Sequence, residues 1–403
     1  MTVTDSRLLT ADGYKKERYK LMKSFISIIA IAILIIGFSA CERVSQITQP
    51  SMPEMEDKSG EISIGVVLPL TGQLASTGQR MKQGLELALN EINNAQLGNT
   101  RLKFIVEDSM STPEGAVAAF NKLIHEDGVS VILGPATSDE TQAAFPVAQE
   151  NQVVAISPTS GARDLSAIGD FVFRVPLATN IVALKGVEAT HTKLGYQRVA
   201  TMYNETDLFS TDRDTALQEA FTAIDVKVLT TETFLSDDTN FSAQLTRIRA
   251  LNPDAIFVSA LPPEKSGILI QAHELGITAP IIMSSLTSVD VQVAGAAAEG
   301  AITFIGWLST DDTPGNQAFV QNYNMTYGMT PDVFATASYT AVYILAEAIK
   351  NAEATDAISI RDALANISDL DTVFGKFAFN TDGDAIYEQK ALIVKDGMLQ
   401  PFE

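Results

Sequence analysis

Four hydroxyl side chains stand in two short turns where the chain leaves an apolar run, and hydroxyls so placed can hold an anion. Val131 to Thr141 reads VILGPATSDET, a strand-like run that breaks at Gly134-Pro135 and restarts as a helix. Thr137 and Ser138 are both preferred N-cap types, and Thr137 with Glu140 has the spacing of a capping box. The unpaired N–H groups of the first turn and the positive end of the helix dipole would face whatever sits above the strand end, a place for a carboxylate. Gln152 to Ala162, QVVAISPTSGA, repeats the arrangement and puts Thr159, Ser160 and Gly161 in the turn. In a parallel sheet two such turns from neighbouring strands open at the same carboxyl edge, the usual ligand crevice of open α/β sheets. Hydroxyls that only cap helices would look the same, so either turn alone leaves both readings open.

The surrounding pattern supplies that sheet. Ile62 to Val67 and Leu102 to Val106 read as buried strands, and Gly78 to Asn93 places Met81, Leu85, Ala88, Leu89 and Ile92 on one helical face. Ser111-Thr112-Pro113-Glu114 opens a helix with a cap, an early proline and an acid in its first turn. Leu68-Pro69-Leu70-Thr71-Gly72 has the letters of a sortase signal, but it falls directly after the first strand and reads as a strand-to-helix loop. The alternation βαβαβα with apolar strands gives an α/β class and a doubly wound, mostly parallel sheet. A second series starts near Lys193: strands at Arg198 to Tyr203, Val226 to Thr233, Asp254 to Ala260 and Ile281 to Ser284, with helices at Thr211 to Ala223, Asn240 to Leu251 and Glu264 to Leu275. Two such units predict two lobes with a cleft between them, where ligands bind preferentially. After Ala301 to Trp307, helices at Gln317 to Tyr327 and Pro331 to Lys350 precede closing strands at Phe374 to Phe379 and Lys390 to Val394, with a turn at Asp396-Gly397.

The 403 residues carry a net charge of −21 and are 46% hydrophobic, a globular composition. Six basic and three acidic residues fall in the first 40, so the remainder carries −24, a surface that repels phosphate backbones and argues against nucleic acid. Basic residues up to Lys23 precede SFISIIAIAILIIG and then Phe38-Ser39-Ala40-Cys41, the layout of a secretory signal over 1–40. Cys41 is the single cysteine, so it cannot form an internal disulfide, and its place after Ser39-Ala40 resembles the lipobox of bacterial lipoproteins, which implies cleavage before Cys41 and lipidation there. Phe38 departs from the usual leucine, which keeps an uncleaved N-terminal helix as the alternative, although Phe25 to Ala40 is short for a span of about 20 residues. Either Met1 or Met22 could begin the chain, and 41–60 reads as a polar, proline-bearing tether.

The chain resembles the Leu/Ile/Val-binding proteins, the type I periplasmic substrate-binding components of ABC importers, over Glu61 to Glu403. The segments that carry the resemblance are IGVVLPLTG with Gly78, FIVEDSMSTPEGAVAAFNKLI, GVSVILGPATS, VVAISPTSGARDL, FVFRVPL and FGKFAFNTDGDA. The resemblance implies two doubly wound lobes with three crossing segments near Thr179, Ser309 and Ala385, so that 61–179 with 310–385 form lobe 1 and 180–309 with 386–403 form lobe 2. It also implies a monomeric lipoprotein outside the inner membrane that uses no cofactor. Such a protein captures a small carboxylate ligand, a branched-chain or other apolar amino acid, and hands it to ABC permease subunits. In the family the ligand carboxylate is held at the turn matching Thr137-Ser138, and Ser138 carries over. At the second turn the family's hydroxyl falls on Gly161, with Ser160 as its substitute. The lid aromatics fall on Phe209 and Phe334, while Leu261 and Thr77 stand where relatives often carry tyrosines. The acid that receives the ligand's ammonium falls on Leu286, so either Asp290 reaches in or the ligand lacks a charged amine.

Catalysis finds no footing. His125, His191 and His273 match no zinc spacing, and no nucleophile elbow, dinucleotide fingerprint or phosphate loop appears. The remaining class is a ligand sensor of the same fold that binds an amide or an amine-free organic acid. A sensor would call for a membrane output segment after the domain, and none follows before Glu403.

Overall fold

The structure, a computed structural model, describes residues 60–403 apart from 96–99 and Pro263. The expected signal segment, Cys41 and nearly all of the tether lie outside the described residues.

Period-two alternation builds both sheets. Strand β1 (Gly60–Leu68) pairs in parallel with β2 (Thr100–Asp108) and β3 (Val131–Leu133); β4 (Val154–Ser157) and β5 (Val172–Arg174) continue the sheet in the order β2-β1-β3-β4-β5. Along these strands Ile64, Val66, Leu68, Val131, Leu133, Val154 and Ile156 enter one core, and Val67, Ile132 and Ala155 enter another on the opposite face. Both faces are therefore covered, as a parallel sheet requires. Helices α1 (Ala75–Ala95) and α10 (Val333–Asn351) pack on the first face, and α2 (Pro113–His125) and α3 (Ser138–Glu150) on the second.

The second sheet follows the same rule. Its order is β15-β14-β10-β9-β8-β6-β7, built from β6 (Arg198–Asn204), β7 (Lys227–Phe234), β8 (Ala255–Ser259), β9 (Ile281–Ser284) and β10 (Ile302–Ile305) in parallel, with β14 (Lys390–Lys395) and β15 (Met398–Pro401) added antiparallel. Ala200, Met202, Ile256 and Val258 face one core, and Val199, Ala255 and Phe257 face the other. The faces are covered by α4 (Thr179–Leu194), α5 (Leu208–Ala223), α6 (Ser242–Leu251), α7 (Glu264–Glu274) and α8 (Ser288–Ala294). A small antiparallel sheet of β11 (Leu370–Thr372), β12 (Gly375–Phe379) and β13 (Ala385–Ile386) completes the chain with α9 (Asn316–Tyr327) and α11 (Ala357–Ala365). Both sheets belong to one compact unit, residues 56–403.

The element pattern read from sequence is present, with additions. Helices α4, α8 and α11 and strands β5, β11, β13 and β15 went unread because they are short or weakly amphipathic; α4 even starts without a side-chain cap. The Asp356 cap of α11, whose carboxylate accepts from Ser359 N at 3.0 Å, is the signal that could have revealed that helix.

Candidate ligand-binding site

The carboxyl ends of both sheets converge on one small cavity of about 50 Å³. Seven of the expected residues line it: Thr77, Thr137, Ser138, Thr159, Phe209, Leu261 and Phe334, joined by Pro69, Leu74, Ala136, Pro262, Lys265 and Ser285. A wider depression of about 770 Å³ lies elsewhere, among Glu347, Asp362, Asp369 and Asp371. It is polar, open and remote from either carboxyl edge, so it lacks the features of a closing cleft.

The first turn is fixed by its own capping chemistry. Gly134 has φ +123°, and a Cβ there would lie 2.2 Å from the Val67 carbonyl oxygen, so the strand can end this way only at glycine. Thr137 caps α3 by accepting from Glu140 N at 3.2 Å. The buried Glu140 carboxylate answers by accepting from Thr137 N at 3.0 Å and Ala136 N at 3.2 Å, and Ser109 Oγ donates to it at 2.6 Å. Burial pushes the Glu140 carboxyl above its ordinary range, against those hydrogen bonds. With those two N–H groups taken, the donors left at the helix start are the Ser138 and Asp139 N–H groups. Ser138 Oγ accepts from Ala162 N at 3.1 Å, which leaves its proton for a ligand.

The second turn is laced to the first. Thr159 Oγ1 donates to the Ala136 carbonyl at 2.6 Å and Ser157 Oγ to the Pro135 carbonyl at 2.8 Å. Ser160 is turned away from the cavity, its hydroxyl donating to Ser157 Oγ at 2.6 Å. Gly161 does not line the cavity either. A Cβ there would lie 3.0 Å from Phe209 Cε2, so this glycine lets the aromatic ring approach the turn. Arg174, fully buried, supports the turn from beneath: its guanidinium donates to the Ala162 and Ser160 carbonyls and pairs with Asp384 through Nε at 2.8 Å. The FVFRVPL and FNTDGDA segments thus meet through one ion pair.

Loop 69–74 is pinned by Asp108. Its Oδ1 accepts from Leu70 N at 2.9 Å, Thr71 N at 3.1 Å and Met110 N at 2.8 Å, and its Oδ2 from Thr71 Oγ1 at 2.6 Å. Burial works against the charged form, but these hydrogen bonds hold the Asp108 carboxyl below its ordinary range. Arg80 ties the wall residue Thr77 to Asp332, two residues before the wall residue Phe334. It donates to Thr77 Oγ1 at 3.3 Å and, through Nε, to Asp332 Oδ2 at 2.5 Å, while Asp332 Oδ1 caps α10 one turn before its Ala335 N–H, at 2.9 Å. That cap sets Phe334 at the cavity wall.

The second sheet contributes Phe209, Leu261, Pro262, Lys265 and Ser285. Leu286, expected at the cavity, is fully buried in the second sheet's own core, its N–H donating to Thr303 Oγ1 at 2.8 Å. The cause is local: Ser285 takes φ +39°, which turns the chain after β9 so that Ser285 lines the cavity and Leu286 points inward. Asp290 does not reach in. Its carboxylate closes a capping box, accepting from Thr287 N at 2.8 Å and Thr287 Oγ1 at 2.7 Å. Among the described residues the one charged side chain on the cavity wall is Lys265, whose Nζ donates to the Ser285 carbonyl at 3.0 Å. Sequence reading missed it because a lysine in a helical first turn reads as solvated.

Across the cleft the halves touch through polar groups. Arg163 pairs with Asp212 through Nε at 2.5 Å and its N–H donates to Asp212 Oδ2 at 2.8 Å. Leu208 N donates to Asp139 Oδ2 at 3.1 Å, and Gln73 donates to Asp237. Asp207, which caps α5 by accepting from Ser210 N at 2.8 Å, faces the Asp139 carboxyl. Burial, with the Asp139 charge adding to it, pushes Asp207 up to about 7 from an ordinary 3.8.

Comparison with known proteins bears on the fold and the family. The chain is 26% identical to the Leu/Ile/Val-binding protein BraC3 of Rhizobium johnstonii over 336 residues, covering 80% of this chain and 89% of that one. Its fold matches the leucine-binding protein LivK of Thermotoga maritima with a TM-score of 0.80 at 26% identity, over 85% of this chain and 98% of that one. It matches LivJ of Streptococcus pneumoniae, solved with isoleucine, with a TM-score of 0.79 at 26% identity and the same coverage. The family model described as periplasmic binding protein matches residues 61–395, and the chain belongs to that family, with its type I fold of two parallel-sheet lobes.

Proposed function

We propose that this protein is an extracytoplasmic ligand-binding lipoprotein that captures a small carboxylate-bearing ligand between two lobes and delivers it to the permease subunits of an ABC importer. The observation that carries the reading is the cavity itself: the start of α3 with Ser138 on one wall, and residues from the carboxyl edge of the second sheet on the other. A cleft closed by hinge motion, with ligand contacts contributed from both sides, suits reversible capture. Crossings near Thr179, Ser309 and Ala385 would act as that hinge, with 61–179 and 310–385 moving against 180–309 and 386–403. The relatives' names point to leucine, isoleucine and valine as the first ligands to test, and the working form is a monomer held to the membrane through Cys41. A thermal-shift screen of the purified protein with amino acids, keto acids, aromatic acids and short amides tests capture. A ligand at 100 times its dissociation constant adds about 2.7 kcal/mol of stability, and a flat response to every class would sink the reading. Anchoring is checked separately: Cys41→Ser should release the protein from membranes, and unchanged retention would favour an uncleaved helix.

A further inference from the structure

Two buried cations stand on the second-sheet side of the cavity, Lys265 on its wall and Arg213 behind it. Lys265 is 1% exposed, lines the cavity and spends one proton on the Ser285 carbonyl. Arg213 is 2% exposed and stands one turn after Phe209 on α5, so it shares a helix face with a cavity residue. Among the described residues it has no ion-pair or hydrogen-bond partner; its Nε is buried and unbonded, and the guanidinium lies over the Phe304 ring at 5.8 Å. Burial lowers the lysine's proton affinity and the Arg213 charge adds to that, while the charges of Asp290, Glu264 and Asp332 oppose it. Ser210 Oγ on the same helix as Arg213 and Ser259 Oγ at the end of β8 are also buried without a partner among the described residues.

The acids nearby act on Lys265 through their charge from outside the cavity, and none of them is among its lining residues. Asp290 is committed to Thr287 and Asp332 to Arg80 and the α10 cap. Burial raises the Asp214 and Glu264 carboxyls above their ordinary range, and neither is among the cavity's lining residues. Buried cations that no carboxylate contacts are unfavourable, and an anion that reaches them offsets that cost; an ammonium brought to the same place adds a third positive charge with no carboxylate among the described lining residues to receive it.

We propose that Lys265, backed by Arg213, forms an anion-receiving subsite opposite the Ser138 turn, and that the ligand is an amine-free organic acid with an accepting oxygen at the Lys265 end. The proposal rests on the capture reading above and names the substrate class of the same cavity. It places the discrimination in one wall. The Ser138 turn holds a carboxylate of any such ligand, whereas the lysine wall rejects its α-ammonium form.

Two matched pairs test this by calorimetry on the purified protein: leucine against 4-methyl-2-oxopentanoate, and glutamate against glutarate. For the skeleton that fits, the amine-free member should bind at least about thirtyfold more tightly. Lys265→Met, which fills the space without charge, should lose the amine-free acid by a similar factor and narrow the gap within the pair, while its melting temperature stays level or rises. Retained affinity in a folded Lys265→Met, or tighter binding of the amino member to the wild type, overturns the proposal and leaves capture intact. Binding of neither pair overturns the proposal too. Capture itself falls only when the whole thermal-shift screen is also flat.

Discussion

Closing the cleft brings the Asp207 carboxyl against that of Asp139, and this makes ligand affinity depend on pH with a calculable sign. In the closed form Asp207 is 5% exposed and its carboxyl is pushed up to about 7, first by burial and then by Asp139. The expectation is that parting the lobes withdraws Asp139 and hydrates Asp207, which would bring its carboxyl back toward 3.8. Closure therefore takes up a proton between about pH 4 and 7: affinity is greatest at low pH, falls as pH rises through that window, and levels off above it. One proton gives at most a tenfold change per pH unit, so between pH 8 and pH 5.5 affinity should rise about thirtyfold for a ligand whose own carboxylate stays ionised. Titration calorimetry at several pH values, in buffers of differing ionisation enthalpy, reads both the affinity and the proton taken up. Asp207→Asn keeps the helix cap, since asparagine caps as well as aspartate, and removes the charge, so its affinity should be flat over the same range. A wild type with pH-independent affinity, or one that releases a proton on binding, would refute the reasoning.

Three further outcomes follow from single contacts. Ser138→Ala should weaken the ligand by roughly 1.5 to 3 kcal/mol, about ten- to a hundredfold, because a charge-assisted hydrogen bond goes and the Ala162 N–H loses its acceptor; normal binding would reduce the turn to a helix cap. Arg174→Met leaves Asp384 and the Ser160 and Ala162 carbonyls without their donor, and chemical denaturation should show about 3 to 5 kcal/mol lost; a silent variant would mean that the second turn holds itself. Leu286→Glu should not create an ammonium site but should destabilise the second lobe by several kcal/mol, since it buries a carboxylate in a core; a stable variant that binds amino acids better would place Leu286 at the cavity after all.

What the sequence determined by itself was everything governed by near neighbours. The alternation at Ile64, Val66 and Val67 predicted a strand buried on both faces, and Thr137 with Glu140 predicted a capping box three residues long; both are local patterns, and both are present. Once two parallel sheets were legible, their carboxyl edges had to carry the site, which is why Thr137, Ser138 and Thr159 could be named from their turns, whereas Thr77, Phe209 and Phe334 were implied only by the resemblance to the Leu/Ile/Val-binding proteins. What only the tertiary structure decided was register at the turns and contact at long range. A single left-handed residue, Ser285, moves Leu286 from the cavity to the core, and a one-residue shift of that kind leaves no trace in hydropathy. Ser160 and Gly161 yield their places for the same reason: the hydroxyl bends back to Ser157, and the missing Cβ makes room for Phe209. Arg174 and Asp384 stand 210 residues apart, and nothing local marks either as the partner of the other. Lys265 is the sharpest case. Its charge has meaning only because the fold buries it on a cavity wall whose described lining residues include no carboxylate, and burial is a property of the packed chain rather than of the residue.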